Sequence, residues 1–171
     1  MAYSVVRTDK LMGTDVRSML ESVKYMGSGS TETAIENGNV VKVTNLVADN
    51  GVPVDYEIKI GVTPSASSTL DEIVLIAAPE VMYDERKKNL DEFRTEAGGI
   101  ARGYHLHSGD IFSVTADGLS EANPAVGQVI ELQAGVKLKN VASATSGSTV
   151  IGKIIDKNIV GRYTYYAIQV A

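Results

Sequence analysis

The chain of 171 residues contains no cysteine and no tryptophan, and it has only two histidines and four prolines. Without cysteine there is no thiol nucleophile, no disulfide framework and no cysteine-ligated zinc or iron–sulfur site, and nothing marks a redox compartment. Positive charge is scarce as well. Sixteen Lys+Arg stand against 21 Asp+Glu, a net charge of -5, so the phosphate-neutralising surplus that nucleic-acid binding needs is missing. The longest apolar run, Ile73 to Ala78, falls far short of the roughly 20 residues of a membrane span. The opening Met1-Ala2-Tyr3-Ser4-Val5-Val6-Arg7 lacks the basic-then-apolar layout of a secretory signal. These absences predict a protein with no export address, whose partners include neither nucleic acid nor membrane.

What is present suits a packed core. Hydrophobic residues make up 44% and charged residues 22%, close to globular averages, and the length fits one compact domain or two small ones. Val16, Met19, Leu20 and Val23 recur at helical spacing after Gly13-Thr14 and before Gly27-Ser28-Gly29-Ser30. This predicts an arm over residues 1–30, a short docking helix followed by a Gly/Ser linker. Residues 31–171 then read as a β-rich globular domain, divisible into lobes 31–96 and 97–171.

Strand signals dominate that domain. Asn37-Gly38 is hairpin chemistry ahead of Val40-Val41, and Tyr56, Ile58 and Ile60 alternate with Glu57 and Lys59. Ile73 to Ala77 is continuously apolar, as a strand covered on both faces should be. Residues 84–96 are rich in charge and helix formers, with acidic residues leading, and predict a surface helix. Beyond Gly98-Gly99, short apolar runs are punctuated by glycines. The fold class predicted is mainly β, a small barrel or sandwich, with a short amino-terminal helical arm and one surface helix. Acidity belongs to the middle of the chain: over residues 31–96, 6 Lys/Arg face 13 Asp/Glu.

Chemistry-bearing patterns are few. His105 and His107 would share one strand face and are the only candidates for metal ligation, but no further His or Cys exists to complete a tight shell, so no metal is assigned. Gly-x-Ser-x-Gly is absent and Gly27-Ser28-Gly29-Ser30-Thr31 has linker composition, not that of a phosphate cradle. No cofactor and no enzymatic activity is expected. Eight of the ten aromatic residues are tyrosine. Tyr163 and Tyr165 would share a strand face suited either to a contact surface or to a stabilising ladder.

Several phrases carry a resemblance: Tyr3-Ser4-Val5-Val6-Arg7-Thr8-Asp9-Lys10, Ala34-Ile35-Glu36-Asn37-Gly38, Ala78-Pro79-Glu80-Val81-Met82-Tyr83-Asp84, and Ala101-Arg102-Gly103-Tyr104-His105-Leu106 running into Gly109-Asp110-Ile111-Phe112-Ser113-Val114. With these the chain resembles the capsid decoration, or cement, proteins of tailed bacteriophages. The resemblance implies a non-enzymatic virion protein, made in the host bacterial cytoplasm and located on the outer capsid surface. It implies the major capsid protein as partner and self-association, commonly as a homotrimer at threefold positions, bridging capsid subunits. The expected contact residues are Arg7, Lys10, Val16, Arg17, Met19, Leu20 and Val23 in the arm, with Tyr163 and Tyr165 near the carboxyl end. Two other readings stand beside it. One is a head fibre or its capsid-bound base, although neither repeats nor a heptad tract is seen. The other is a small carbohydrate- or metal-binding β module resting on His105, His107 and the tyrosines.

Overall fold

In the computed structural model, residues 2–7, 19–49, 52–84, 86–87 and 89–171 are described. Strands β1 (Leu20–Met26), β2 (Val40–Asp49), β3 (Val52–Val62), β4 (Ile73–Ile76) and β5 (Ile100–His105) close a barrel in the order β1-β3-β2-β4-β5. All pairings are antiparallel except β1 with β3, where Ser22 lies opposite Ile58. Strands β6 (Ile111–Thr115), β7 (Val129–Glu131), β8 (Lys139–Val141), β9 (Val150–Val160) and β10 (Tyr163–Val170) form a second, antiparallel sheet in the order β6-β10-β9-β7-β8. The mainly β expectation holds.

The continuous apolar run is explained by its position between two cores. All four residues of β4 are buried. Strand alternation sends Val74 and Ile76 into the barrel with Val23, Tyr25, Val41 and Ala101, while Ile73 and Leu75 join Phe112, Val114, Ile154 and Ile168 of the second sheet. Val40 and Val41 are divided between the same two cores. Each such aliphatic side chain contributes about 1.5–3 kcal/mol by leaving water. The barrel interior is narrow enough to require glycine: a Cβ on Gly103 would lie 2.6 Å from Val74 Cγ2 and 3.0 Å from Val74 Cβ, and one on Gly61 would lie 2.5 Å from Val23 Cγ1.

The helical arm is not shown. Leu20–Met26 is barrel strand β1, with Val23 and Tyr25 buried and Ser22 facing out. The spacing of Leu20 and Val23 suits a helix, but barrel closure on both edges of β1 overrides that local pattern. Val16 lies outside the described residues. Nor do the opening residues reach away from the body. Val5 and Val6 are buried; the Arg7 N–H donates to Ser113 O at 3.0 Å and the Thr115 N–H to Val5 O at 3.0 Å, which covers the free edge of β6.

The surface helix expected over 84–96 is also replaced. Among the described residues of that span only Leu90–Glu92 forms a turn of 3-10 helix, capped by Asn89 and Glu92. Asp84 takes the N–H and guanidinium of Arg86 at 2.9–3.1 Å, local bonding that competes with a helix, and Leu90 and Phe93 offer too narrow an apolar face for packing to compensate. Thr95 instead exchanges two backbone hydrogen bonds with Ile35.

One charged group is sealed inside the second sheet. The Glu131 side chain is fully buried opposite Lys139; Oε2 accepts the Thr145 N–H at 2.8 Å, and Oε1 faces the Lys139 ammonium at 3.4 Å without a hydrogen bond. Burial pushes this carboxyl up, but Thr145 and Lys139 together bring it below the ordinary glutamate value.

Two stability predictions follow from this packing. Replacing Gly103 with Ala should cost about 1–3 kcal/mol, read as a lower midpoint in denaturant unfolding, because the stiff Val74 side chain cannot rotate out of the way. Because the Glu131 pKa is depressed in the folded state, its contribution is complete above the unfolded value and fades as pH falls through the folded one. The Tm of Glu131→Gln should therefore fall less than that of the wild type between about pH 7 and about pH 3. Equal slopes would show the carboxylate to be energetically silent.

Candidate docking face

Strand β10 builds the face by alternation. Tyr166, Ile168 and Val170 enter the core, and Tyr163, Tyr165 and Ala167 turn the other way, opposite Val160, Asn158 and Asp156 of β9. The Tyr163 and Tyr165 rings lie 6.1 Å apart at 56°. The amino-terminal strand segment brings the Arg7 guanidinium over the Tyr165 ring at 5.5 Å. At the β9–β10 turn, Arg162 stands 5.4 Å from the Tyr163 ring centroid. A third pair sits alongside, Arg94 over Tyr3 at 5.1 Å.

Asp91 ties two of the pairs together, and the ring contact of Tyr163 with Tyr165 joins the third. One carboxylate oxygen accepts the Tyr163 hydroxyl at 2.9 Å, the other accepts Arg162 Nη2 at 3.0 Å, and the Asp91 carbonyl accepts the Tyr3 N–H at 2.9 Å. Burial and the bond to Asp91 both raise the Tyr163 hydroxyl above the ordinary tyrosine value, so Tyr163 stays a neutral donor at physiological pH. Shallow grooves flank the cluster. One runs between Tyr3, Asp91, Asp117 and Tyr163, and another between Arg7, Glu80, Leu90 and Val160. Apolar side chains edge it: Leu90 and Val160 are exposed, and Tyr83, beside Arg94, is 95% exposed. Arginine and tyrosine held in fixed geometry, with exposed aliphatic groups beside them, are the composition of a protein-contact surface. Nothing in it supplies an activated nucleophile or a base aimed at a reacting atom.

The nine expected contact residues divide three ways. Arg7 and Tyr163 meet in this face, half-buried, whereas Tyr165 is buried at 4% exposure and supports them from beneath. Met19 and Leu20 are half-buried at the start of β1, where Met19 lines a groove with Asp71, His105 and His107, and Val23 is sealed in the barrel. Lys10, Val16 and Arg17 lie outside the described residues. Asp91, Arg162, Tyr3 and Arg94 were not expected. Asp91 was hidden by the helical reading of 84–96, whereas Arg162 could have been found as the charged residue of the tight Gly161-Arg162 turn.

The two histidines line the Met19 groove together but hold different partners. Strand β5 ends at His105, whose Nε2 lies 3.3 Å from Glu21 Oε1 at the barrel mouth, where Lys59 Nζ also reaches Glu21 at 2.6 Å. His107 belongs to the following turn, its N–H bonded to Asp110 Oδ2 at 2.8 Å. Among the described residues, no group of three or more His, Cys, Asp or Glu gathers as a metal site would. Compared with family models, curated proteins and solved structures, the chain matches none.

Proposed function

We propose that the chain is a structural virion protein that binds the outer surface of an icosahedral phage head and stabilises the expanded capsid lattice by bridging capsid subunits. The observation that carries this reading is the cluster of three arginine-over-tyrosine pairs, two of them held by Asp91. Such a face gives a partner protein rigid aromatic area and charged hydrogen-bond donors, the groups that dominate binding energy at interfaces. The resemblance to decoration proteins names the partner, the major capsid protein, and adds self-association as a homotrimer. No bond is made or broken in this function. A ligand selective for the expanded lattice stabilises that lattice by mass action, against the internal pressure that pulls subunits apart.

Co-sedimentation with empty expanded heads of the cognate phage, prepared without this gene product, checks the reading, with unexpanded procapsids as control. Saturable binding to expanded heads alone is the expected result. Arg162→Ala and Tyr83→Ala, at exposed positions, should each weaken that binding about 5- to 100-fold with little change in Tm, while Val126→Ser, an exposed apolar residue of another loop, should not. Binding to neither lattice would sink the proposal.

A further inference from the structure

The strands β2 and β3 continue well past the barrel wall. β2 pairs with β4 only through Lys42, and β3 pairs with β1 only from Ile58 onward, so residues 44–49 and 52–57 continue past the barrel as a two-stranded ribbon. Such a ribbon is marginal in water by itself. It also displays an apolar stripe. Val52, Val54 and Tyr56 share one strand face by alternation and are 64%, 61% and 75% exposed. Its charge is of one sign: Asp49, Asp55 and Glu57 have no Lys or Arg between residues 43 and 58, and none of the three makes an ion pair among the described residues. Asp49, opposite Val52, shares the face of the stripe, while Asp55 and Glu57 alternate to the other.

The tip of the β9–β10 hairpin is its counterpart. β9 runs beyond its pairing with β7, which ends at Lys153, so residues 155–160 have a free edge. Ile155 and Ile159 are exposed there, Ile159 at 69%. Lys157 has no carboxylate at ion-pair distance among the described residues, and its Nζ stands 5.6 Å from the Tyr166 ring centroid; Lys153, opposite Gln169 beyond a shift in register, turns to the Tyr165 side instead. The cross-strand partners of Lys157 and Ile159 are Tyr166 and Thr164, so theirs is the side of the hairpin opposite the Tyr163–Tyr165 face. The one carboxylate of the segment, Asp156, pairs with Ala167 on that Tyr165 side.

We propose that the acidic, apolar β2–β3 ribbon of one copy docks on the basic, apolar β9–β10 tip of a second copy of this chain. Opposite charge and exposed apolar area occur on one polypeptide, yet among the described residues no strand pairing, hydrogen bond or ion pair joins the two hairpins within it. The two surfaces differ, so the contact is heterologous and builds a ring where the rotation closes, or a chain of copies where it does not. This gives surfaces to the self-association in the reading above, but it rests on exposure and charge alone and needs no capsid.

Sedimentation velocity of the full chain over a concentration series tests it without heads, so its failure and the failure of head binding are separate results. The wild type should assemble, less tightly as salt is raised. Reversing the charge on the ribbon (Asp49→Lys) or on the tip (Lys157→Glu) should each weaken assembly by more than about threefold. An equimolar mixture of the two variants should recover it, which also shows that both are folded. Tyr56→Ser, a neutral change at an exposed position, should weaken assembly as well. A wild type that stays monomeric, assembly indifferent to either reversal, or a mixture that fails to recover would each overturn the proposal.

Discussion

Strand β4 has water on neither side, and the rest of the architecture follows from that constraint. A strand dry on both faces has to satisfy its backbone entirely within the protein. It does so between β2 and β5, with Leu75 opposite Val40 on one edge and Val74 opposite His105 on the other. Because alternate residues of β4 feed different cores, barrel and second sheet cannot move apart without exposing Ile73 and Leu75. The inner layer then has little room left, which is why Gly61 and Gly103 face Val23 and Val74 without side chains of their own.

A second knot fixes the amino terminus to that wall. The Asn37 carboxamide accepts the Ala78 N–H at 2.8 Å and donates to Ala78 O at 2.8 Å, and the Ser4 hydroxyl donates to the Asn37 carbonyl. Gly38 turns the chain at a φ of +84°, where a Cβ would collide with Ser4 Oγ and Val114 Cγ2. Phrases far apart in sequence, around Ser4, Asn37, Ala78 and Val114, therefore meet at one place. Their composition serves this buried junction first. Its consequence for function is positional: with Ser4 to Val6 locked, Tyr3 and Arg7 come to β10 at fixed places, and the arginine–tyrosine face forms without ordering flexible segments at the moment of binding.

Where local chemistry and tertiary packing agree, the sequence is a good guide. The doubly covered run at Ile73 and the strand Tyr163–Val170 stand as read, and strand β3 and the turn at Asn37-Gly38 are present. That turn joins no hairpin, because Ile35 pairs with Thr95 while β2 pairs with β3 and β4, and Tyr56 is exposed where alternation suggested a covered side chain. Where they conflict, it misleads. Helical spacing at Leu20 and Val23 gives way to a strand whose inward residues are Val23 and Tyr25, because β3 and β5 pair with β1 along both of its edges, a long-range condition that local spacing does not carry. The charge-rich stretch 84–96 has helix formers but no apolar face for a helix to bury. Half of the docking face was legible, because tyrosine alternation within β10 is local. The other half was not, because Asp91 and Tyr163 are 72 residues apart and only the folded sheet brings carboxylate to hydroxyl.

The β9–β10 hairpin takes part in both proposed contacts, and strand alternation is what keeps them from competing. Tyr163, Tyr165 and Val160 lie on one side; Lys157 and Ile159, set across from Tyr166 and Thr164, lie on the other. A copy held by the ribbon of its neighbour would leave its arginine–tyrosine face free for the capsid. Each added copy would then bring one more such face to a surface that repeats by symmetry, so weak single contacts would combine into tight attachment only where the spacing of faces matches the lattice. Selectivity for an expanded over an unexpanded head needs no special chemistry in that arrangement. It would follow from the geometry of a fixed set of faces meeting a lattice whose repeat has changed.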